Sequence, residues 1–328
     1  MTTLRAVAAA SVLMFHLGTW GVIGVPEVVE RVGYTGVAFF FVLSGFVLAW
    51  GTRAGLPART FWRRRFARTW PSHVTTLLAA AALPVAAVDR SWTAAAPNVL
   101  LLQAWSTDPA TVYGMNGVSW SLSCEAFFYA TFPAVLVTVR RAAAPRTWAL
   151  CGALLLVAAA AALVRPGLAF SFPPVHLGEF VLGAVAGSAV RNGWRPRPRG
   201  AVVVGALGAG AAVSWVTPAP LPNVVMSGPF LLVLLWAAHR DLARRPGWLT
   251  SRVAVTAGEV SFAFYLVHEL VIVNLREHLP PGALTAGVMT VSAGACAAAL
   301  HWGVERPANR LLRDRPRPAR TAATPTPP

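Results

Sequence analysis

Residues 33–51 read GYTGVAFFFVLSGFVLAWG, a stretch without a single charge. As a helix it would cover about 28 Å at 1.5 Å per residue, close to the roughly 30 Å of a hydrocarbon core. Nine further segments can be drawn on the same pattern: 4–24, 71–88, 118–139, 147–164, 172–190, 200–217, 223–239, 255–275 and 283–304. Only 12% of the 328 residues are charged and 56% are hydrophobic, about half the charge of a soluble domain. Low charge and long apolar blocks together predict an all-α membrane protein. About ten transmembrane helices would form one bundle over residues 1–305.

The charge supports that reading and sets the orientation. The net charge of +16 comes with no lysine at all, so all 28 basic residues are arginines. With the N-terminus inside, only Arg31, Arg90, Arg165 and Arg276 fall in outer segments, and the other 24 of 28 fall inside. Basic residues favour cytoplasmic loops in that way. The excess positive charge therefore needs no nucleic acid to explain it. A multi-pass protein of the plasma (inner) membrane is expected, with both termini cytoplasmic. Cys124, Cys151 and Cys296 all lie within spans, so no disulfide is expected. His16 interrupts the first span and no small-residue cleavage site follows, which argues for an uncleaved helix over a signal peptide.

Three connections stand out. Segment 52–70, TRAGLPARTFWRRRFARTW, mixes aromatic rings with arginines, which suits an interfacial cytoplasmic helix or a simple positive-inside anchor. Segment 89–117 carries Trp92 and Trp105 and an apolar run too short to span. It is expected to be re-entrant or surface-lying, capping the outer mouth of the bundle. Residues 306–328 are rich in Arg and Pro and are expected to form a disordered cytoplasmic tail.

Ionisable side chains inside a bilayer cost about 2.5 kcal/mol or more when charged, so each needs a reason. The candidates are His16, Glu125, His176, Glu179, His268, Glu269 and His301, whereas Glu259 and His239 lie near span ends where snorkelling accounts for them. His16 lies about 18 Å along the first span, and Arg5, about three turns earlier, shares its helix face. That face could line a polar shaft admitting an anion headfirst, or His16 could simply hydrogen-bond a neighbouring helix. Glu125, among Trp120, Phe127, Phe128 and Tyr129, is placed in the outer half of its span. It could act as a base, hold a hydroxyl, or tie two helices together. His176 and Glu179 share a face one turn apart. His268 and Glu269 are adjacent and point apart, and His268 is favoured as the cavity residue. No metal-ligand spacing, Walker loop or GxGxxG is present.

Six stretches, in order and spacing, carry a family resemblance: LRAVAAASVLMFH (4–16), GVAFFFVLSGFVLAW (36–50), FWRRRFARTWP (61–71), SWSLSCEAFFYATFP (119–133), GEVSFAFYLVHELVI (258–272) and HWGVERPANRLL (301–312). Together they make the chain resemble the bacterial acyltransferase-3 family of membrane O-acyltransferases over nearly its whole length. Two departures are visible. Thr3 stands where a glycine is common, and Cys124-Glu125-Ala126 leaves one carboxylate where many relatives have two.

The resemblance implies transfer of an acyl group, commonly acetyl, from cytoplasmic acyl-CoA to a hydroxyl of a polysaccharide or sugar, a glycolipid or a macrolide-type antibiotic. Acyl-CoA would be a co-substrate, with no permanently bound cofactor and no metal. His16 and Glu125 are then the expected catalytic residues. Arg5, Arg64, Arg65 and Arg68 would hold the nucleotide phosphates, for which arginine is suited by bidentate geometry. Glu179, His268 and Trp120 are weaker candidates for acceptor contacts. The rival reading is a polytopic transporter or exporter of an anionic or acylated solute. No matched pair of Gly/Pro-broken helices in two halves supports it.

Overall fold

The computed structural model describes residues 1–53, 55–83, 89, 91–141, 145–243 and 247–312. Among them there is no strand, and ten helices have 15 residues or more. These are α1 (Thr2–Thr19), α2 (Gly36–Gly51), α3 (Ala58–Ala82), α4 (Trp120–Val139), α5 (Pro145–Val164), α6 (Leu177–Arg191), α7 (Gly200–Val216), α8 (Leu221–Leu242), α9 (Arg252–Leu275) and α10 (Ala283–Leu300). Each overlaps one of the ten expected segments. Six helical stretches are long and apolar enough to cross a bilayer: Glu27–Gly51, Gly117–Val139, Pro145–Val164, Leu221–Leu242, Arg252–Leu275 and Ala283–Leu312. The remaining four are weaker for identifiable reasons. Helices α6 and α7 have only 15 and 17 residues, α3 carries five arginines, and α1 carries Arg5 and His16.

The separate interfacial helix expected at 52–70 is not present as such. Residues 58–70 form the first half of α3, which runs 25 residues through Pro71 without a break. Tertiary contacts explain why this half stays with the bundle. Phe61 stacks on Phe132 at 4.8 Å, Trp62 Nε1 donates to the Tyr129 carbonyl at 2.9 Å, and Arg68 approaches Glu305 at 3.9 Å. The first residues of the expected tail are helical. A π-helical turn, His301–Glu305, follows α10, and helix continues from Arg306 to Leu312. Residues 313–328 lie outside the described residues.

Glycines decide the tightest crossing. A Cβ at Gly45 would overlap the Phe180 carbonyl, one at Gly183 the Val42 carbonyl, and one at Gly187 the Phe46 carbonyl. Helices α2 and α6 therefore meet backbone to backbone, the close approach that small residues permit inside a membrane bundle. Around this crossing Phe41, Phe128, Phe132 and Phe180 are essentially inaccessible, and Phe128 stacks on Phe180 at 4.7 Å. Gly258 does the same for α9, where a Cβ would strike the Thr2 carbonyl at the start of α1.

Segment 89–117 folds inward over the helices. A short helix, Trp92–Val99, a tight turn, Gln103–Trp105, and a second short helix, Pro109–Tyr113, are pinned by fully buried polar side chains. Ser119 Oγ donates to Asn98 Oδ1 at 2.9 Å, Gln103 Nε2 donates to the Ser119 carbonyl at 2.8 Å, and Asn116 Nδ2 donates to the Leu266 carbonyl at 2.9 Å. Such pairing offsets the cost of burying the amide donors. The segment thus delivers Tyr113, Met115 and Gly117 to the wall of the main cavity.

Candidate active site

Helix α1 ends just past His16. The Trp20 amide donates to the His16 carbonyl at 2.9 Å, and Gly21 takes φ +67°, a conformation glycine adopts without steric cost. His16 is left on the wall of a cavity of about 300 Å³, together with Trp20, Tyr34, Tyr113, Trp120 and Glu269. Helix α9 lies along α1 and brings two side chains to the one imidazole. His268 Nε2 is 3.2 Å from His16 Nδ1, and Glu269 Oε1 is 3.6 Å from His16 Nε2.

The proton positions follow from the acceptors available. His268 Nδ1 faces the Tyr265 carbonyl at 2.7 Å, so it carries hydrogen and donates. In the neutral ring, His268 Nε2 is then a lone pair. His16 Nδ1 lies between that lone pair and the Val12 carbonyl, 2.9 Å away, so it also donates. The Nε2 lone pair of His16 is left facing the cavity. A fixed tautomer with a free basic nitrogen is what proton abstraction from a hydroxyl requires.

The cavity is built for a ligand that is partly polar. Most of its lining is apolar or aromatic. Among the described residues, Tyr34 Oη, Asn223 Oδ1 and Glu269 Oε2 are buried and lack a hydrogen-bond partner, and all three residues line it. Such orphaned atoms in a concave apolar site are where orienting contacts to a ligand form. Burial pushes the Tyr113 phenol above its ordinary value, which keeps it a hydrogen-bond donor at neutral pH.

Glu125 does not reach His16. It belongs to a second group, where Tyr129 Oη donates to Glu125 Oε2 at 3.0 Å and Arg5, Arg65 and Arg68 are its charged neighbours. Arg5 Nε donates to Ser261 Oγ at 3.3 Å. Glu125 lies in the first half of α4, and its neighbours there are those of Arg5. Gly117 and Trp120 already stand at the level of His16, so α4 starts deep, and Glu125 lies a turn or more further toward the Arg5 end. Arg5 and Glu125 line a small cavity of about 40 Å³ with Ser121, Ser261 and Tyr265. Val37 and Tyr265 line both cavities, so the shaft expected between Arg5 and His16 is divided at these two residues.

The other expected site residues separate into two sets. Trp120 and Arg68 sit at the two cavities or beside them. Arg68 approaches Glu305, which the π-helical turn also pairs with His301 Nδ1 at 2.8 Å. Arg65 lies over the Phe61 ring at 5.9 Å and lines a groove with Trp62, Phe66 and Tyr129, the residue that bonds Glu125. Arg64 lines neither cavity. Glu179 is not at an acceptor surface. It is 1% exposed and accepts from His176 Nδ1 at 2.9 Å, while His176 Nε2 faces the Phe170 carbonyl at 3.1 Å. His268 is fully buried behind His16, and Glu269 takes the cavity position in its place.

The motif-bearing residues thus converge, and comparison with known proteins names the convergence. A family model for the acyltransferase domain (Acyl_transf_3) matches residues 1–302. The chain belongs to the acyltransferase-3 family. The "Acyltransferase MdmB" of Streptomyces mycarofaciens is 36% identical over 374 aligned positions, which cover 99% of this chain and 95% of that protein. No solved structure matches the chain. With its apolar helices, this acyltransferase is a membrane protein. Tyr265 at the cavity wall is a residue that sequence reasoning missed, and Glu269, one of its candidates, was ranked behind His268. The signal available was their spacing: Ser261, Tyr265 and Glu269 recur every four residues, one stripe of α9 running from Arg5 to His16.

Proposed function

We propose that this protein is an O-acyltransferase moving an acyl group, acetyl by preference, from cytoplasmic acyl-CoA to an acceptor hydroxyl. The acceptor, a sugar, glycolipid or antibiotic-type compound, would occupy the His16 cavity. All ten helices would cross the plasma membrane with both termini inside, in keeping with 24 of 28 arginines falling in the inner segments. Arg5, Arg64, Arg65 and Arg68 would attract the phosphates of the nucleotide. The thioester arm would then extend past Tyr265 toward His16.

In the reaction His16 Nε2 takes the proton of the acceptor hydroxyl as its oxygen attacks the thioester carbonyl. The carbon–sulfur bond breaks, and the imidazolium returns the proton to the departing thiolate. Glu269 stabilises the imidazolium while it exists, and His268 holds the ring in the reactive tautomer. Glu125 holds the Arg5 and Tyr129 side chains at the nucleotide end. The observation that carries this reading is His16 on the wall of a cavity that holds three orphaned polar atoms, with its Nδ1 engaged by Val12 and His268 and its Nε2 on the Glu269 side.

Purified protein given radiolabelled acetyl-CoA and candidate acceptors tests it. Label should pass to the acceptor with release of CoA, and His16→Ala should abolish transfer while the protein still inserts into the membrane. Turnover in His16→Ala would remove His16 from the mechanism. Solute flux without CoA release would indicate a transporter instead.

A further inference from the structure

The division between the two cavities has a chemical consequence, which rests on the acyl-transfer reading above. Only Val37 and Tyr265 line both the cavity of about 40 Å³ at Arg5 and the cavity of about 300 Å³ at His16, among the described residues. Tyr265 stands midway along the α9 stripe, one turn from Ser261, which bonds Arg5, and one turn from Glu269, which approaches His16. Its ring is held on every side. The phenol shares a hydrogen bond with Ser121 Oγ at 2.8 Å and donates toward the Val118 carbonyl at 3.1 Å. Phe40 meets it edge-on at 5.8 Å, and the His268 ring is also 5.8 Å away.

An acyl group is the terminal part of acyl-CoA. A thioester approaching from the arginines therefore presents its acyl group first at this partition. The space on the Arg5 side is small, enough for about three water molecules at the roughly 10–15 Å³ that one requires. Passage thus depends on the ring and the Val37 side chain moving apart, and the gap they leave fixes a cross-section. Chain length is a weaker constraint, because a straight chain threads one methylene at a time. We infer that Tyr265, with Val37, is a specificity-determining residue that admits unbranched acyl groups and rejects acyl groups branched next to the carbonyl.

The discriminating quantity is the ratio of kcat/KM for acetyl-CoA to that for isobutyryl-CoA, measured as acyl transfer to one acceptor. The two donors have the same nucleotide and arm, so changes at the arginines cancel in the ratio. Tyr265→Ala should lower the ratio about tenfold or more, since isobutyryl carries two more methyl groups than acetyl and a single extra carbon at an apolar wall already discriminates roughly 10- to 200-fold. Tyr265→Phe keeps the ring and should hold the ratio within about threefold of wild type. Val37→Ala opens the other side of the gap and should lower the ratio in the same direction, which keeps the test decisive should Tyr265→Ala fail to fold. An unchanged ratio in the folded alanine variants overturns the inference, as does a Tyr265→Phe ratio as low as that of Tyr265→Ala, which would place the effect in the hydroxyl. Wild-type protein that releases CoA from neither thioester defeats the acyl-transfer reading itself, and this inference with it.

Discussion

Glu269→Gln isolates one charge at nearly constant shape. Glu269 Oε1 lies 3.6 Å from His16 Nε2, and both side chains are largely out of water, at 13% and 15% exposed. A unit positive charge on His16 at that distance gains about 4.6 kcal/mol from the carboxylate at an effective dielectric of about 20. The imidazolium is only partly formed when the proton is in flight. With half its charge developed, the carboxylate contributes about 2 kcal/mol to the transition state, or roughly 30-fold in kcat. The glutamine preserves volume and can still accept from Trp20 Nε1, which donates to Glu269 Oε1 at 3.3 Å. The loss should therefore fall on kcat. KM for acyl-CoA should stay within about twofold, because Glu269 lines the His16 cavity and not the one at Arg5. Steady-state acetyl transfer by detergent-purified protein, with both substrates varied, measures the two effects separately. A kcat within threefold of wild type would show that no positive charge develops on His16 Nε2, and the base role assigned to it would fall.

Two further variants address the nucleotide end and the scaffold. Arg68→Ala should raise KM for acyl-CoA about tenfold or more, the worth of one charged hydrogen bond, with Arg68→Lys recovering only part because an ammonium cannot grip a phosphate bidentately. Competitive binding of 3′,5′-ADP, followed by isothermal titration, would refute this if both variants bound it like wild type. Gly183→Ala should lower the melting temperature in detergent by about 3 °C or more, because its methyl overlaps the Val42 carbonyl and forces α2 from α6. Gly205→Ala on α7, with open space around the new carbon, is the control, and equal melting of the two would refute the crossing.

The bundle was legible because its cause is local. Ten segments can be drawn by length and charge, a helix overlaps each, and six helical stretches are long and apolar enough to cross a bilayer. Interruptions and pairings between helices depend on contacts that a linear reading does not contain. The sequence divides at residue 70 into an interfacial piece and a span, yet Phe61, Trp62 and Arg68 each find partners on α4 or at Glu305 and hold the two halves in one helix. The site shows the same limit. His16 and Arg5 were found because they share a face of one helix. Glu125 was paired with His16 as a catalytic residue, whereas α4 begins at the level of His16 and carries Glu125 on to the Arg5 cavity.

The case of Glu269 is the most instructive. Two adjacent residues on a helix diverge by about 100°, which made His268 and Glu269 look like alternatives. An imidazole has two nitrogens on different edges, so a partner ring lying across both directions can engage both neighbours. His268 takes Nδ1 and Glu269 approaches Nε2, one fixing the tautomer and the other balancing the charge that the tautomer acquires on taking a proton. The adjacency that seemed to exclude one of them is what lets a single turn of α9 serve both edges of His16.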